Sequence, residues 1–446
     1  MPFQDATRPT VACVAVSVPF IAIGYDSGAL DVQRLDSATS TTVLPEHHQG
    51  SVLCCAFSSG EPAYLITGGA DGCVRFLAMD ATHAAAQQQA IISLKTCDGA
   101  TASGGGLLIE SLAADTLCWA VPVGKCIAVG ALPSGDFPRV QYIGPLLHVV
   151  DAVQLCPSLG CGGRSRAVAA ASFGGVSLWT QVTTGDEAPN FEPLAEALPA
   201  ARSGSAADLA CDGWSRSLVA SPDGAWLASW VVLAGEAPTK LWLWRTADGA
   251  DFECSGFAPS PITDLAWRAD SCALASCCAG VALIWPFPAP VSSSSVSVRS
   301  GSAAALRAGP AGRPPLRCIG AGGARLISAA FSPGGDVLAC GASDGSVHLF
   351  MGTRSDAPVQ AGSRREESAT VRWVCEAARG APVEHLRWAG EGVLAAASYS
   401  SERIALWDFR REKEQNDVEQ EEVLLGDRKR PRGGEDDSIC VTRSFT

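Results

Sequence analysis

The sequence predicts an all-β chain in which one small unit recurs along most of its length. The best-formed copy is residues 336–350, DVLACGASDGSVHLF, in which two apolar strands flank a tight Asp-Gly turn. Similar hairpins lie at 20–35, 64–76, 168–179, 272–285 and 393–408. Because the hairpin returns about every 40 to 65 residues, the chain is expected to form a single ring of antiparallel sheets.

The composition supports this fold class. The chain has 446 residues, of which 46 are Gly and 27 are Pro, and 47% are hydrophobic. This content suits many short strands with frequent turns around a large core. The net charge of -13 disfavours broad nucleic-acid binding, because contacts to phosphates need clustered Lys and Arg.

Each unit is expected to hold an inner strand a, strands b and c joined by the Asp-Gly turn, and a less regular outer strand d. The turns SPDG at 221–224 and SPGG at 332–335 place Pro and Gly where an a–b turn prefers them. Eight candidate units follow, at about 10–45, 50–95, 106–143, 148–180, 215–257, 261–319, 325–376 and 382–409. An eight-bladed ring is therefore favoured, with seven blades as the alternative.

The ring is predicted to span residues 1–409 and to be followed by a mixed-charge, disordered tail at 410–446. Three insertions, at about 181–215, 287–315 and 351–370, are read as extended or disordered loops. The last outer strand could come from residues 1–10 or from 421–425, since a ring that mixes both chain ends leaves no open edge. Within the tail, Asp427 to Arg432 has the basic character of a nuclear import signal, although such runs are more often simply solvated.

Cysteine usage and hydropathy indicate the compartment. The chain has 18 Cys, many of them within strand patterns, where a free thiol behaves as a small hydrophobic group. No signal peptide and no apolar run of about 18 residues is present. We therefore expect a reduced, soluble, intracellular protein in the cytoplasm, with the nucleus as the alternative.

These units resemble the WD40-repeat family of β-propellers over roughly residues 10 to 409. A closer likeness is to divergent bacterial-type WD40 proteins, carried by the unit at 241–267 and by Ile-Trp-Pro-Phe at 284–287. Repeats of this type are often labelled as the WD40 domain of the fourth subunit of the anaphase-promoting complex. The label describes a fold and does not assign a function.

The resemblance implies structural roles for particular residues. In the family, a His before strand a, a Ser or Thr in strand b, an Asp in the b–c turn and a Trp closing strand c form a hydrogen-bonded network. The matching turn residues are Asp26, Gly28, Asp71, Gly72, Asp344 and Gly345, and the matching aromatics are Phe76, Trp179, Trp244, Trp285, Phe350 and Trp407. No unit holds all four members, so we expect apolar packing rather than this network to stabilise the sheets.

No catalytic, cofactor or metal motif stands out. A Walker loop, a G-x-S-x-G elbow and an H-E-x-x-H helix are all absent from the sequence. The cysteines at 156, 161, 277 and 278 lack the regular convergence that a zinc site needs. We therefore expect no enzyme activity, no cofactor and no metal.

The aromatic residues of the fifth unit are the one tentative partner surface. Trp214, Trp226, Trp230 and Trp242 crowd into this unit, and exposed aromatics often mark binding hot spots. Tight packing between neighbouring sheets is the more ordinary explanation.

The functional hypothesis is a noncatalytic scaffold or adaptor that binds other proteins or peptides and exists as a monomer or as a subunit of a complex. The alternative is a metal-handling or enzymatic propeller with ligands in the central mouth. A third interpretation is a substrate-recognition subunit of a ubiquitin-ligase-like or nuclear assembly.

Overall fold

A computed structural model describes the chain between residues 9 and 444. The segments outside the described residues are 36–40, 60–62, 80–85, 95–107, 116, 134–139, 147–148, 157–166, 173–174, 182–190, 194–212, 234–239, 246–250, 254–261, 288–315, 320–322, 352, 354–370, 377–380, 391, 400–403 and 410–441. In the described part the secondary structure is β-strand throughout, without an α-helix.

The first four sheets come from the first half of the chain, and each has four antiparallel strands. Sheet one is β1 (Val11–Ser17), β2 (Phe20–Tyr25), β3 (Leu30–Arg34) and β4 (Thr41–Leu44); sheet two is β5 (Val52–Phe57), β6 (Tyr64–Gly69), β7 (Cys73–Met79) and β8 (Ala86–Ser93). Sheet three is β9 (Ala113–Ala114), β10 (Cys118–Val123), β11 (Cys126–Ala131) and β12 (Val140–Ile143); sheet four is β13 (Val150–Cys156), β14 (Ala167–Ser172), β15 (Gly175–Gln181) and β16 (Phe191–Pro193).

The second half of the chain repeats this plan. Sheet five is β17 (Gly213–Ala220), β18 (Trp226–Leu233), β19 (Lys240–Arg245) and β20 (Asp251–Glu253); sheet six is β21 (Ile262–Trp267), β22 (Ala273–Cys278), β23 (Val281–Pro286) and β24 (Leu316–Ile319). Sheet seven is β25 (Leu326–Phe331), β26 (Val337–Ala342), β27 (Ser346–Met351) and β28 (Val371–Glu376); sheet eight is β29 (His385–Ala389), β30 (Val393–Ala397), β31 (Ile404–Asp408) and β32 (Thr442–Ser444). The prediction of four-stranded antiparallel sheets is confirmed.

Apolar clusters join each sheet to the next around a closed ring. The described core residues form eight such clusters, each spanning two consecutive sheets. The closing cluster packs Val14 and Ile23 of sheet one against Ala395 and Ile404 of sheet eight. Burying apolar side chains on both faces of every sheet is the main stabilising contribution in such a fold.

Side chains of the inner strands also bridge neighbouring sheets. The Cys13 thiol donates to the Val52 carbonyl at 3.3 Å, and the Ser328 hydroxyl donates to the Val383 carbonyl at 2.7 Å. The strand b partner of Ser328 is Gly341, where a Cβ would lie 2.6 Å from the Val383 carbonyl oxygen. The small residues on strand b therefore allow the next sheet to approach closely enough for these bonds.

The outer strand of sheet eight corrects one prediction. Thr442–Ser444 pairs with β31, with Trp407 opposite Thr442. Neither 1–10 nor 421–425 occupies that position; residues 1–8 and 421–425 lie outside the described part. Three residues of the predicted disordered tail therefore form a strand, because the outer edge of β31 offers backbone groups that a returning segment can pair with.

The predicted insertions need a similar correction. Residues 191–193, expected to be loop, form β16, and the Phe191 side chain is buried in the cluster between sheets three and four. Thr353, in the third insertion, is buried and donates its hydroxyl proton to the Gly335 carbonyl at 2.7 Å. Residues 288–315 and 354–370 lie outside the described part of the chain. Short irregular outer strands lack the alternating pattern that marks strands a to c.

Candidate functional site

The b–c turns lie at one end of the ring, together with the segments that precede strands a, and we call this end the turn face. The His48 amide of sheet two donates to the Gly28 carbonyl in the b–c turn of sheet one at 3.0 Å. The Val383 amide similarly donates to Ala342, at the start of the b–c turn of sheet seven, at 3.1 Å. Gly28, Gly72 and Gly345 have φ values of 87°, 69° and 87°, which glycine adopts without steric cost.

Sheet two carries a buried polar network on the turn face. His48 Nδ1 lies 2.9 Å from Asp71 Oδ1, and His48 Nε2 lies 2.8 Å from the Thr67 hydroxyl. His47 Nε2 is also within 2.7 Å of that hydroxyl. The Gln49 amide and the Arg75 guanidinium both donate to Asp71 Oδ2, at 3.1 and 3.2 Å.

If both imidazoles are neutral, each of these hydrogen bonds has one donor and one acceptor, and only one assignment of the protons fits. His48 Nδ1–H donates to the Asp71 carboxylate, so His48 Nε2 must accept the Thr67 hydroxyl proton. The same hydroxyl oxygen then accepts the Nε2–H of His47. The result is a relay from His47 through Thr67 and His48 to Asp71, which joins the segment before β5 to β6 and to the turn that follows it.

Burial and hydrogen bonding set the pKa values in the network. Burial lowers the pKa of His47 to about 3, and the charge that His48 would carry lowers it further. Burial also lowers the pKa of His48, although Asp71 opposes this shift. For Asp71, burial raises the pKa, but hydrogen bonds from His48 and the Gln49 amide outweigh it, so the pKa lies below its usual value.

The network corrects an expectation from the sequence. Packing alone was expected to hold the sheets because no unit contains all four family residues. In sheet two, His48, Thr67 and Asp71 are bonded as in the family, and Phe76 occupies the position of the Trp. His47-His48 before Gly50 was the available signal, but it lacks the Gly-His order that identifies the motif.

Sheets one and seven use the turn carboxylate differently. Asp26 accepts bonds from the Thr10 amide and the Thr10 hydroxyl at 2.9 and 2.7 Å, so Thr10 serves where sheet two has His48. Asp344 accepts from the amide and hydroxyl of Ser346 within its own hairpin, and the Ser346 hydroxyl contacts His348 Nε2 at 2.9 Å. Only the first of these two arrangements joins the turn to the preceding segment.

The aromatic residues singled out from the sequence are mostly part of the core. The buried members are Phe76, Trp179, Trp285, Phe350 and Trp407. The side chains of Trp214, Trp242 and Trp244 lie outside the described part. Trp226 and Trp230 are only 8% and 9% exposed and pack in the cluster between sheets five and six. For these two residues the tentative partner surface is wrong, because interblade packing removes both rings from solvent.

Sheet eight carries a second polar site on the turn face, toward the ring axis, formed by residues of the inner strand β29, the residue before it and the turn after β30. Arg387 is exposed, and its described hydrogen bond runs from Nη1 to the Leu386 carbonyl at 2.9 Å. Tyr399 is 52% exposed, and its ring meets the His385 ring edge to face at a centroid distance of 4.6 Å. The Tyr399 amide donates to Glu384 Oε2 at 3.1 Å. These four residues are called the axial site.

The electrostatics of the axial site extend across the ring. Burial lowers the pKa of His385 to about 4, and the charge of Arg387 lowers it further. Asp264, on the inner strand of sheet six, accepts the amides of Ala329 and Leu265 at 2.8 and 2.9 Å. Burial raises the pKa of Asp264, whereas the Arg387 charge opposes that shift.

The described residues offer little basis for a metal site or for a reactive cysteine. These residues contain no group of three or more His, Cys, Asp or Glu side chains that could hold a metal ion. Cys277 and Cys340 are buried with their sulfurs 3.7 Å apart, and hydrogen bonding and burial raise the pKa of Cys277 well above its usual value. Cys126 is disulfide-bonded, which differs from the expectation of a fully reduced chain.

In the part of the chain that the structure covers, no helix has the length and hydropathy required to traverse a membrane.

Comparisons with known proteins agree with the fold. The family model described as WD domain, G-beta repeat matches residues 38–76 and 315–350, which include most of sheet two and sheet seven. The search of curated proteins returned no match.

Solved structures of similar fold include Sqt1 from Saccharomyces cerevisiae, with a TM-score of 0.58 and 11% identity over 89% of this chain and 95% of that one. Sqt1 from Chaetomium thermophilum has a TM-score of 0.59 and 14% identity over 88% and 95%. The β-propeller domain of Cps50 (Swd1) from Myceliophteria thermophila has a TM-score of 0.52 and 12% identity over 90% and 98%. The predicted β-propeller is confirmed, whereas the closer likeness to bacterial-type proteins stays a prediction. With two segments that match the WD-repeat model and a ring of four-stranded sheets, this chain has the fold of a WD40-type β-propeller.

Proposed function

We propose that this protein is a noncatalytic binding platform that engages other proteins through the turn face. The observation that carries the proposal is the axial site, where an exposed tyrosine and an exposed arginine stand together at the axis of the ring. Tyr and Arg are enriched among the residues that dominate protein interfaces. Arg387 is held by strand β29 and Tyr399 by the turn after β30, so little conformational entropy is lost on binding.

The polar network of sheet two supports the same proposal because it holds part of the turn face in a fixed position. It fixes the segment before β5 against the turn at Asp71, close to the neighbouring turn of sheet one. A partner that contacts several loops at once then meets a surface whose geometry is already set. Preorganisation of this kind favours affinity because fewer loops must be ordered on binding.

Affinity capture from native lysate tests the proposal. The full chain, used as bait at several salt concentrations, is expected to retain at least one stoichiometric partner. A bait carrying Tyr399→Ala and Arg387→Met is expected to lose that partner, whereas Val43→Ala, on outer strand β4, is expected to keep it. The proposal fails if the native bait returns no stoichiometric partner, or if the axial variant retains every partner while Val43→Ala loses them.

The metal-handling or enzymatic alternative stays a prediction. Its sharpest test is metal analysis of protein purified without added metal, in which zinc, copper or iron at stoichiometric amounts would support it. The ubiquitin-ligase-like or nuclear interpretation also stays a prediction, and the basic run at 427–432 lies outside the described residues.

A further inference from the structure

The axial site contains a cation surrounded by small side chains. By strand register, the residues of the other inner strands that correspond to Arg387 are Ala15, Ala56, Ala113, Gln154, Val219, Ala266 and Ala330. Five of these seven positions are alanine and none is charged, so Arg387 is the one charged side chain at this level of the described inner strands. A guanidinium has five N–H donors, and the described bond of Arg387 uses one donor group on its own strand.

His385 adds an acceptor that has no partner. The backbone of Ala12 forms a hydrogen bond with the ring, and Nε2 is buried with no hydrogen-bond partner. The Nδ1–H therefore donates to the Ala12 carbonyl, and the neutral ring presents an Nε2 lone pair. A buried acceptor without a partner costs roughly 1 to 3 kcal/mol. Because Nε2 is buried, a ligand donor reaches it only if the neighbouring Tyr399 ring moves, and the new hydrogen bond would then remove that cost.

The spacing of these groups matches an extended peptide. His385 and Arg387 are two residues apart on β29, so their side chains project to the same face of the strand with an offset of about 7 Å. Tyr399 lies next to His385 at the mouth and offers half of its surface to solvent. A peptide entering beside Tyr399 would meet the His385 acceptor first and the Arg387 donors deeper in the channel.

The charges at the axial site favour a carboxylate over a phosphate as the bound anion. One guanidinium and an unprotonated imidazole suit a carboxylate, which carries one charge and pairs with a guanidinium in a bidentate fork. A phosphate dianion would meet the Nε2 lone pair of the neutral His385 ring, which has no proton to donate to it. Glu384 at the mouth is a negative charge and likewise disfavours a polyanion.

Resting on the proposed function, and deepening it, we propose that the axial site binds a peptide segment through an Asp or Glu side chain. The peptide carboxylate accepts from the free N–H groups of Arg387. A backbone N–H of the same segment donates to His385 Nε2, and a neighbouring side chain packs on Tyr399. The site therefore selects for a single acidic residue at a fixed position of the partner.

Selection from a random displayed peptide library on the full chain tests this proposal. The native protein is expected to enrich sequences with Asp or Glu at one fixed position. Arg387→Met is expected to abolish the preference at that position, and Arg387→Glu to replace it with Lys or Arg. Arg325→Met is the matched control, because it removes an exposed arginine next to β25 on the turn face without touching the axis.

Binding measurements with synthetic peptides then show how much the acidic side chain contributes to affinity. Replacing the selected Glu by Gln is expected to weaken binding to the native protein by about tenfold or more, as for a charge-assisted pair. The same exchange is expected to have little effect on Arg387→Met. Since the Glu-to-Gln comparison on native protein needs no protein variant, the test survives if Arg387→Met does not fold; Arg387→Lys then supplies the protein-side comparison.

Three outcomes would overturn the proposal. They are an acid preference that persists in folded Arg387→Met, an equal loss of preference in Arg325→Met, and the absence of any enriched peptide on native protein. If lysate capture still returns a stoichiometric partner in the last case, the proposed function stands while the acidic-peptide site falls. If capture also fails, both are wrong.

Discussion

Sheets two and three are neighbours that share one apolar cluster, yet their inner regions are stabilised in different ways. Sheet two has the relay from His47 to Asp71 on its turn face. In sheet three, Trp119 is fully buried, stacks edge to face on Phe76 at 5.6 Å and donates its indole N–H to the Ala131 carbonyl at 3.1 Å. The two sheets therefore share the same four-stranded arrangement but are stabilised by different interactions, a polar network in one and a buried indole in the other.

The largest expected effect is in sheet three. Trp119→Ala would leave a cavity in the cluster shared with sheet two and is expected to lower the free energy of unfolding by about 3 to 5 kcal/mol. Denaturant unfolding followed by tryptophan fluorescence and circular dichroism measures the loss. Leu117→Ala, in the same sheet but 60% exposed, is the control and should change stability by about 0.5 kcal/mol or less. Equal losses for the two variants would contradict the role assigned to the indole.

Removing the acceptor of the sheet two network should rank next. Asp71→Ala leaves His48 Nδ1–H, the Gln49 amide and the Arg75 guanidinium without their shared carboxylate, and a loss of about 2 to 4 kcal/mol is expected. Thermal and denaturant unfolding measure it. Asp71→Asn, which keeps an oxygen acceptor, should lose less, and an equal loss would show that the acceptor geometry is not what matters.

Acid should weaken the network before it affects the apolar cluster. The folded state holds the pKa of His47 at about 3, below its usual 6.5, so the unfolded chain takes up the proton first. Stability is therefore complete above pH 6.5 and falls toward pH 3, by about 1.4 kcal/mol per pH unit for each such group. His47→Gln should flatten this slope in pH-dependent urea unfolding, while Gln49→Ala, an exposed side chain, should not. An unchanged slope in His47→Gln would contradict the buried neutral relay.

The smallest effect is expected where a turn carboxylate bonds only within its own hairpin. Asp344 is exposed and accepts only from Ser346, so Asp344→Ala should cost about 1 kcal/mol or less. Asp26→Ala, which releases Thr10 ahead of β1, should cost more than Asp344→Ala in the same unfolding assay. The reverse order would show that linking the turn to the preceding segment adds nothing.

Sequence reasoning located strands a to c well because their apolar runs and Asp-Gly turns are local signals. Residues 336–350 were placed as one hairpin, and the structure has β26 and β27 there. It missed β16 and β32, which are three residues each and depend on a neighbouring edge rather than on their own pattern. For Trp226 and Trp230 the sequence left both packing between sheets and a partner surface open, because burial between sheets five and six depends on how two repeats pack.

The residues of the candidate sites likewise fall into those that the sequence predicted and those that it did not. Asp26, Asp71 and Asp344 could be identified from the turn pattern, but which residue each would bond could not. The axial site was not predicted, because Tyr399 lies in the turn after β30 whereas His385 and Arg387 lie on β29, and Asp264 lies more than a hundred residues earlier. Their proximity results from ring closure, which no local pattern encodes.

By itself, then, the sequence determined the all-β class, the repeating hairpin and the β-propeller fold. Strand periodicity and turn chemistry depend on only a few consecutive residues, so they can be read directly from the sequence. Only the tertiary structure decided that His48 completes a relay with Thr67 and Asp71, and that Arg387 is exposed on an inner strand next to His385. Those relationships arise when separate sheets pack into a ring, because hydrogen bonds and charges act between residues that the chain brings together only on folding.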